Sequence, residues 1–210
     1  MKRILLPILL WTIAYADYIA DISSITLQIK KRMIEGHSWR KGCPVPLKNL
    51  RYLQIKHRDF KGNDKMGEII VHKDVVLEVK KIFGELYEIG YPIRKMRLVS
   101  DYKGSDWQSI EADNTSAFNC RKATGSKNWS KHSYGKAIDI NPIENPYISR
   151  SGRISHKASL KYKKRQHKNA SAADKAVLLK NDKATKIFKT YGWAWGGEWS
   201  GVKDYQHFSK

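Results

Sequence analysis

The clearest pattern of apolar positions lies between Asp74 and Gly90. Val75, Val76, Val79, Ile82, Phe83, Leu86 and Tyr87 recur at helical spacing on one face. Asp74 stands as the N-cap, and Gly90 followed by Pro92 ends the run. A second helix is predicted from Asp182, with Ala184, Ile187, Phe188 and Tyr191 inward and Gly192 as its cap. The stretch from Asp17 to Gly36 is more loosely helical, with Ile19, Ile22, Ile25, Leu27, Ile29 and Met33 apolar and Ser23 or Ser24 as cap. Leu50 to Ile55, Ile93 to Val99 and Ala137 to Ile140 read as strands, Phe60 to Asp64 as a turn and Ser100 to Ser116 as a polar loop. No amphipathic helix falls between Thr115 and Pro146, and Trp193 to Lys210 is aromatic and glycine-rich before turning strand-like. No linker divides the chain. The expectation is one α+β domain, a small antiparallel sheet with helices packed on it.

Composition narrows the class. Hydrophobic residues make up 41% of the 210, enough to bury a core, which excludes wholesale disorder. No repeat is visible, which excludes fibrous and solenoid folds. Forty Lys and Arg against twenty Asp and Glu give a net charge of +20. That charge calls for a polyanionic partner: nucleic acid, an anionic membrane or an acidic cell-wall polymer. The N-terminus chooses among them. Met1-Lys2-Arg3, the apolar run Ile4 to Ile13 and the small-residue site Ala14-Tyr15-Ala16 read as a secretory signal peptide cut after Ala16. The competing readings are an uncleaved anchor and a buried first helix. Export to the periplasm or the cell exterior makes a nucleic-acid partner unexpected. Cys43 and Cys120 are the only cysteines. In an oxidising compartment they can close one disulfide; the alternative is two buried thiols, and a cysteine zinc site is disfavoured because neither has a C-x-x-C partner.

Three potential metal ligands stand in informative surroundings. His132 lies in Ser130-Lys-His-Ser-Tyr-Gly-Lys-Ala-Ile-Asp139, and Asp139 is a carboxylate set between Ile138 and Ile140. Burying it demands a strong partner, which a zinc ion would be. His207 lies in Asp204-Tyr-Gln-His207 near the C-terminus. Two His and one Asp fill three positions of a tetrahedral zinc and leave one for water, the catalytic arrangement. A general base is also needed, and Asp204 or Glu198 would serve. Arg121 would hold an oxyanion or a substrate carboxylate. Each residue also has a plain reading: a hydrogen-bonded core or surface histidine, a turn acid, a surface cation. His37, His57, His72, His156 and His167 are read in that plain way.

The pattern Ser130-x-His132-x-x-Gly135-x-Ala137-x-Asp139, followed by Asp204-x-x-His207, resembles the signature of the D-alanyl-D-alanine carboxypeptidase and L-alanyl-D-glutamate endopeptidase family of zinc peptidases. Cys43-Pro-Val-Pro-Leu47, Asn114 to Arg121, Ile140-Asn-Pro142, Asn145-Pro-Tyr147 and Gly192-Trp-Ala-Trp-Gly-Gly-Glu198 are similar to its secreted, stand-alone branch, so the resemblance runs from about Gly42 to Phe208. It implies a hedgehog-like fold for a peptidase domain at 42–210, which follows the signal peptide read at 1–16 and the N-terminal helical extension read at 17–41. It also implies one zinc per chain on His132, Asp139 and His207, with Asp204 as catalytic acid and base and Arg121 steadying substrate or intermediate. Ser130 and Glu198 are assigned to substrate binding. Of Trp193, Trp195 and Trp199, two are expected in the core and one, assigned as Trp195, at the groove. A Cys43–Cys120 disulfide is expected. The implied substrate is the stem peptide of peptidoglycan, cut by a D,D-carboxypeptidase or an L-alanyl-D-glutamate endopeptidase. Anionic envelope polymers are the expected partners of the basic surface, and the protein is expected to be monomeric. The basic segment from Lys157 to Lys168 matches nothing in the family pattern. A non-catalytic wall-binding protein on the same fold is the first alternative, and an exported zinc nuclease, suggested by charge alone, the second.

Overall fold

A computed structural model describes residues 18–166 and 171–210. The signal segment read at 1–16, and His167 and Lys168 of the basic run, lie outside the described residues.

The longest strands form an antiparallel sheet in the order β1 (Ala20–Ser24), β2 (Leu50–Arg58) and β3 (Asp64–His72). Its side chains alternate between two cores, as the two-residue period of a strand requires. Leu53 and Ile55 of β2, with Ile69 and Val71 of β3, enter the larger core. Leu50, Tyr52 and Ile70 point the other way, into a smaller core with Ile29, Met33, Leu98, Phe118 and Cys120. Helix α1 (Leu27–Glu35) supplies Ile29 and Met33 to that smaller core. Helix α2 (Val76–Glu88) lays the predicted apolar face into the larger one.

The sequence-based elements differ from the fold at several places. Ala20–Ser24 is an edge strand, and only from Leu27 is the chain helical, capped by Thr26, whose side chain accepts from the Ile29 N–H. Pairing with β2 overrides the weak helical spacing there. β3 was not anticipated. Asp74 does not cap α2: Val75 holds that position, without a side-chain bond. Asp74 instead takes the His72 Nδ1 contact and faces Lys136. Ile93 to Val99 is not a strand. Its backbone is satisfied one bond at a time, by Arg58 O, the Glu68 N–H and the Thr115 N–H, with bridges only at Pro92 and Met96.

The loop Ser100–Ser116 contains a short helix α3 (Asp106–Glu111), capped by Ser105. The second sheet has the order β4 (Ala137–Asp139), β8 (His207–Ser209), β6 (Ala194–Trp195); β5 (Tyr147–Ile148) pairs with β7 (Lys203–Asp204) beside it. Between them in the chain lie α4 (Ala172–Lys175) and α5 (Lys183–Thr190). Asp182 caps α5 as predicted, and Ile187 and Phe188 pack inward, where Phe188 stacks on Phe208 at 3.9 Å. The fold is thus α+β, with small antiparallel sheets and several helices. Cys43 and Cys120 are bonded, as expected, which ties the segment after α1 to the one that leads to Arg121. Among the described residues no helix is long and apolar enough to cross a membrane.

Candidate metal centre

The second sheet builds the centre. In the β4–β8 pairing Asp139 stands opposite His207, so the two side chains leave the sheet on one face. His207 Nδ1 lies 3.0 Å from Asp139 Oδ1. His132 arrives from a separate 3-10 turn, Lys131–Tyr134. Ser130 caps this turn by accepting from the His132 N–H at 3.3 Å, and Gly135 closes it with φ of 65°. A side chain at Gly135 would meet the backbone nitrogen of His72 at 2.6 Å, so the turn can sit against β3 only with glycine there. His132 Nε2 lies 3.2 Å from Asp139 Oδ2 and 3.2 Å from His207 Nδ1.

These three residues are the one group among the described residues whose donor atoms could hold a metal, all within 4.8 Å of one another. The donor set fits zinc. Around a tetrahedral ion with bonds of ~2.0–2.1 Å, neighbouring donors stand ~3.3 Å apart; here the two imidazole nitrogens are 3.2 Å apart, and they lie 3.0 and 3.2 Å from different oxygens of Asp139. His132 Nδ1 faces the Ala117 carbonyl at 2.5 Å, which assigns the proton to Nδ1 and turns the Nε2 lone pair toward the cluster. Both histidines are buried, at 5% and 7% exposure.

The electrostatics follow from burial and proximity. Desolvation alone would raise the Asp139 carboxyl, but the His132 and His207 imidazoles outweigh it and hold it far below the usual range. Burial opposes a charge on His132, and Asp139 overcomes that and raises it. Asp204 is the reverse case. Desolvation, then the Asp139 charge, push its carboxyl up to about 6. Gln206 Nε2 donates to Asp204 Oδ1 at 3.2 Å.

The other residues singled out in the sequence fall in different places. The guanidinium of Arg121 pairs with Asp106, and its charge works against protonation of His132. Ser130 is buried and its hydroxyl caps the His132 turn. Glu198 bonds Lys189 of α5 at 2.7 Å, and this contact holds its carboxyl low. Trp195 is in the core rather than at a groove: it is 3% exposed, donates to Tyr205 O at 2.8 Å and stacks near Phe208. Trp199 is the tryptophan at the centre, its ring 5.3 Å from that of His207 and partly exposed. Gly196 and Gly197 have a steric role. A side chain at Gly196 would meet Asp204 O at 2.4 Å, and one at Gly197 would meet the Trp195 indole at 2.4 Å. Asp106, Gln206 and the Ala117 carbonyl were not found from sequence, because nothing in their spacing ties them to the ligands.

No curated protein and no solved structure matches the chain closely enough to serve as a relative. A family model described as D-alanyl-D-alanine carboxypeptidase matches residues 124–210. That span contains His132, Asp139, Asp204 and His207, so the C-terminal part of the chain, where the centre lies, is similar to this family.

Proposed function

We propose that the protein is an exported zinc-dependent peptidase that hydrolyses peptide bonds in peptidoglycan stem peptides, as a D,D-carboxypeptidase or an L-alanyl-D-glutamate endopeptidase. The observation that carries this reading is the convergence of His132 Nε2, His207 Nδ1 and the Asp139 carboxylate, in a span that also holds Asp204 and matches a carboxypeptidase family. His132, Asp139 and His207 hold the zinc. When bound there, zinc supplies Lewis acidity toward a peptide carbonyl and toward water. Asp204 takes the proton of the attacking water and returns it to the leaving amine. Arg121 faces the negative charge that develops on the carbonyl oxygen, or the free carboxylate of the stem peptide. Trp199, beside His207, forms a wall of the substrate groove.

The remaining parts of the reading are consistent with this chemistry. A signal peptide at 1–16 delivers the chain to an oxidising compartment, where the Cys43–Cys120 bond is stable. The catalytic domain spans 42–210 on a hedgehog-like fold, and the excess of basic side chains concentrates the monomer on anionic envelope polymers. Mass spectrometry of muropeptides digested with and without a chelator tests the proposal. Loss of one stem-peptide bond that stops with chelator and returns with zinc is expected. Unchanged muropeptides from zinc-loaded protein overturn it and leave the wall-binding alternative.

A further inference from the structure

The backbone of Arg121 is fastened to the turn that carries His132. The Arg121 N–H donates to Ser133 Oγ at 2.8 Å, the Ser133 hydroxyl donates to Arg121 O at 2.6 Å, and the Ser130 N–H donates to Arg121 O at 3.1 Å. That fixes where the side chain starts. It does not fix where the guanidinium ends, because an arginine has four rotatable side-chain bonds and much rotamer entropy to lose.

Asp106 restrains the other end. It is the first residue of α3, and one carboxylate oxygen pairs with Arg121 Nε. Its other oxygen accepts from Asn119 Nδ2 at 2.8 Å, and the same amide group donates to Gly104 O at 3.0 Å. The carboxylate is therefore itself held in place. Helix α3 is anchored in turn by the buried Ser109, which accepts from Asn114 Nδ2 at 3.0 Å. Arg121 Nη1 donates to Lys122 O at 3.1 Å. Nη1 is thus hydrogen-bonded to the protein and the buried Nε is ion-paired with Asp106, while Nη2 has no bond among the described residues.

We propose that Asp106 is a positioning residue for Arg121: by holding the guanidinium through Nε it presents the Nη2 end to the anionic group of the substrate. The inference rests on the peptidase reading above and names the acid that makes Arg121 effective there. Without Asp106 the guanidinium keeps its charge and loses its direction. A misdirected charge stabilises a developing oxyanion poorly, since the benefit of such a group lies in its being oriented before reaction.

The test combines kinetics with a measurement that needs no turnover. Asp106→Asn is expected to lower kcat/KM roughly ten-fold at unchanged zinc content, and to have no further effect in an Arg121→Ala background, because the two residues act as one unit. Asp106→Glu, which keeps the charge, restores part of the loss. In parallel, the Arg121 Nε–H proton, followed by nuclear magnetic resonance, exchanges slowly in the parent and fast in Asp106→Asn. Equal exchange in both proteins, or a ten-fold loss that persists in the Arg121→Ala background, overturns the proposal. A parent that hydrolyses nothing, yet shows the protected Nε–H lost in Asp106→Asn, overturns the peptidase reading and upholds the positioning of Arg121 by Asp106.

Discussion

Asp139 and His207 are directly opposed residues of adjacent antiparallel strands, with His207 Nδ1 3.0 Å from Asp139 Oδ1. Register therefore does the work that a long flexible loop could not. A slip of one residue in either strand would turn that strand's ligand to the other face of the sheet, away from its partner. The neighbouring pair, Ile138 and Phe208, resists such a slip because both are fully buried in the larger core. With the ligands preset in this way, Asp139→Ala and His207→Ala should each weaken zinc binding by at least about a hundred-fold. Metal competition titration measures this, and circular dichroism should show the fold retained. Wild-type zinc affinity in either variant would remove these residues from the ligand set.

Asp204 lies outside the ligand set, and on the proposed reading it moves protons. Asp204→Ala is expected to keep its zinc and lose kcat by a factor of about 10² to 10⁴, the range for loss of a general acid and base. Zinc content by elemental analysis, alongside turnover of a purified muropeptide, separates this from loss of metal. A variant that turns over at the parental rate rules Asp204 out as the base.

Gly196 lets the 3-10 turn Gly196–Glu198 pass against the Asp204 backbone. The added methyl of Gly196→Ala would meet Asp204 O at 2.4 Å and Asp204 Cβ at 3.0 Å. Backbone must shift to relieve the clash, at a cost of about 1–3 kcal/mol. Because the shift falls on Asp204, turnover should fall by more than the change in melting temperature accounts for. Thermal denaturation and steady-state kinetics on the same preparation check it, and a stable, fully active variant would contradict it.

Glu144 provides a pH dependence remote from the metal centre. It is buried at 1% exposure; desolvation first, and then Asp113, push its carboxyl up to about 8. Arg94 contacts both acids, through Asp113 at 2.5 Å and Glu144 at 3.3 Å, and Tyr162 donates to Glu144 Oε1 at 3.3 Å. A carboxyl raised in the folded state stabilises the fold below its ordinary value, and that contribution is lost as pH rises through about 8. The melting temperature of the parent should therefore drop more steeply between about pH 4.5 and pH 8 than that of Glu144→Gln, whose side chain cannot ionise. Parallel melting curves for the two proteins would show that Glu144 is not protonated in the folded chain.

The disulfide closes a loop between positions 77 apart in sequence. The double variant Cys43→Ser, Cys120→Ser should lose about 2–5 kcal/mol of stability. Its unfolding in urea, against that of the parent, gives the figure. A thiol count on the denatured, unreduced parent should find no free thiol.

The chemistry of the centre was legible before any folding was considered. His132, Asp139, Asp204 and His207 stand in a pattern that resembles a zinc-peptidase signature, and the pattern marks them because imidazole and carboxylate are the side chains that suit zinc and proton transfer. Helix α2 was equally plain, since seven apolar residues on one face leave a periodic trace, and the Asp182 cap of α5 was read from local sequence alone. Both are short-range patterns, and short-range patterns are what a sequence displays directly. The tertiary structure decided everything that depends on distant backbone pairing. It made Ala20–Ser24 a strand because β2 offered it hydrogen bonds, and it left Ile93–Val99 irregular because no continuous partner ran beside it. It sent Trp195 into the core and Trp199 to His207, a choice that glycine-rich spacing cannot express. It also brought Asp106 to Arg121, which no local periodicity could foretell. The physical reason is the same in each case: residue type sets what chemistry is possible, while register and packing between remote segments set which residues meet.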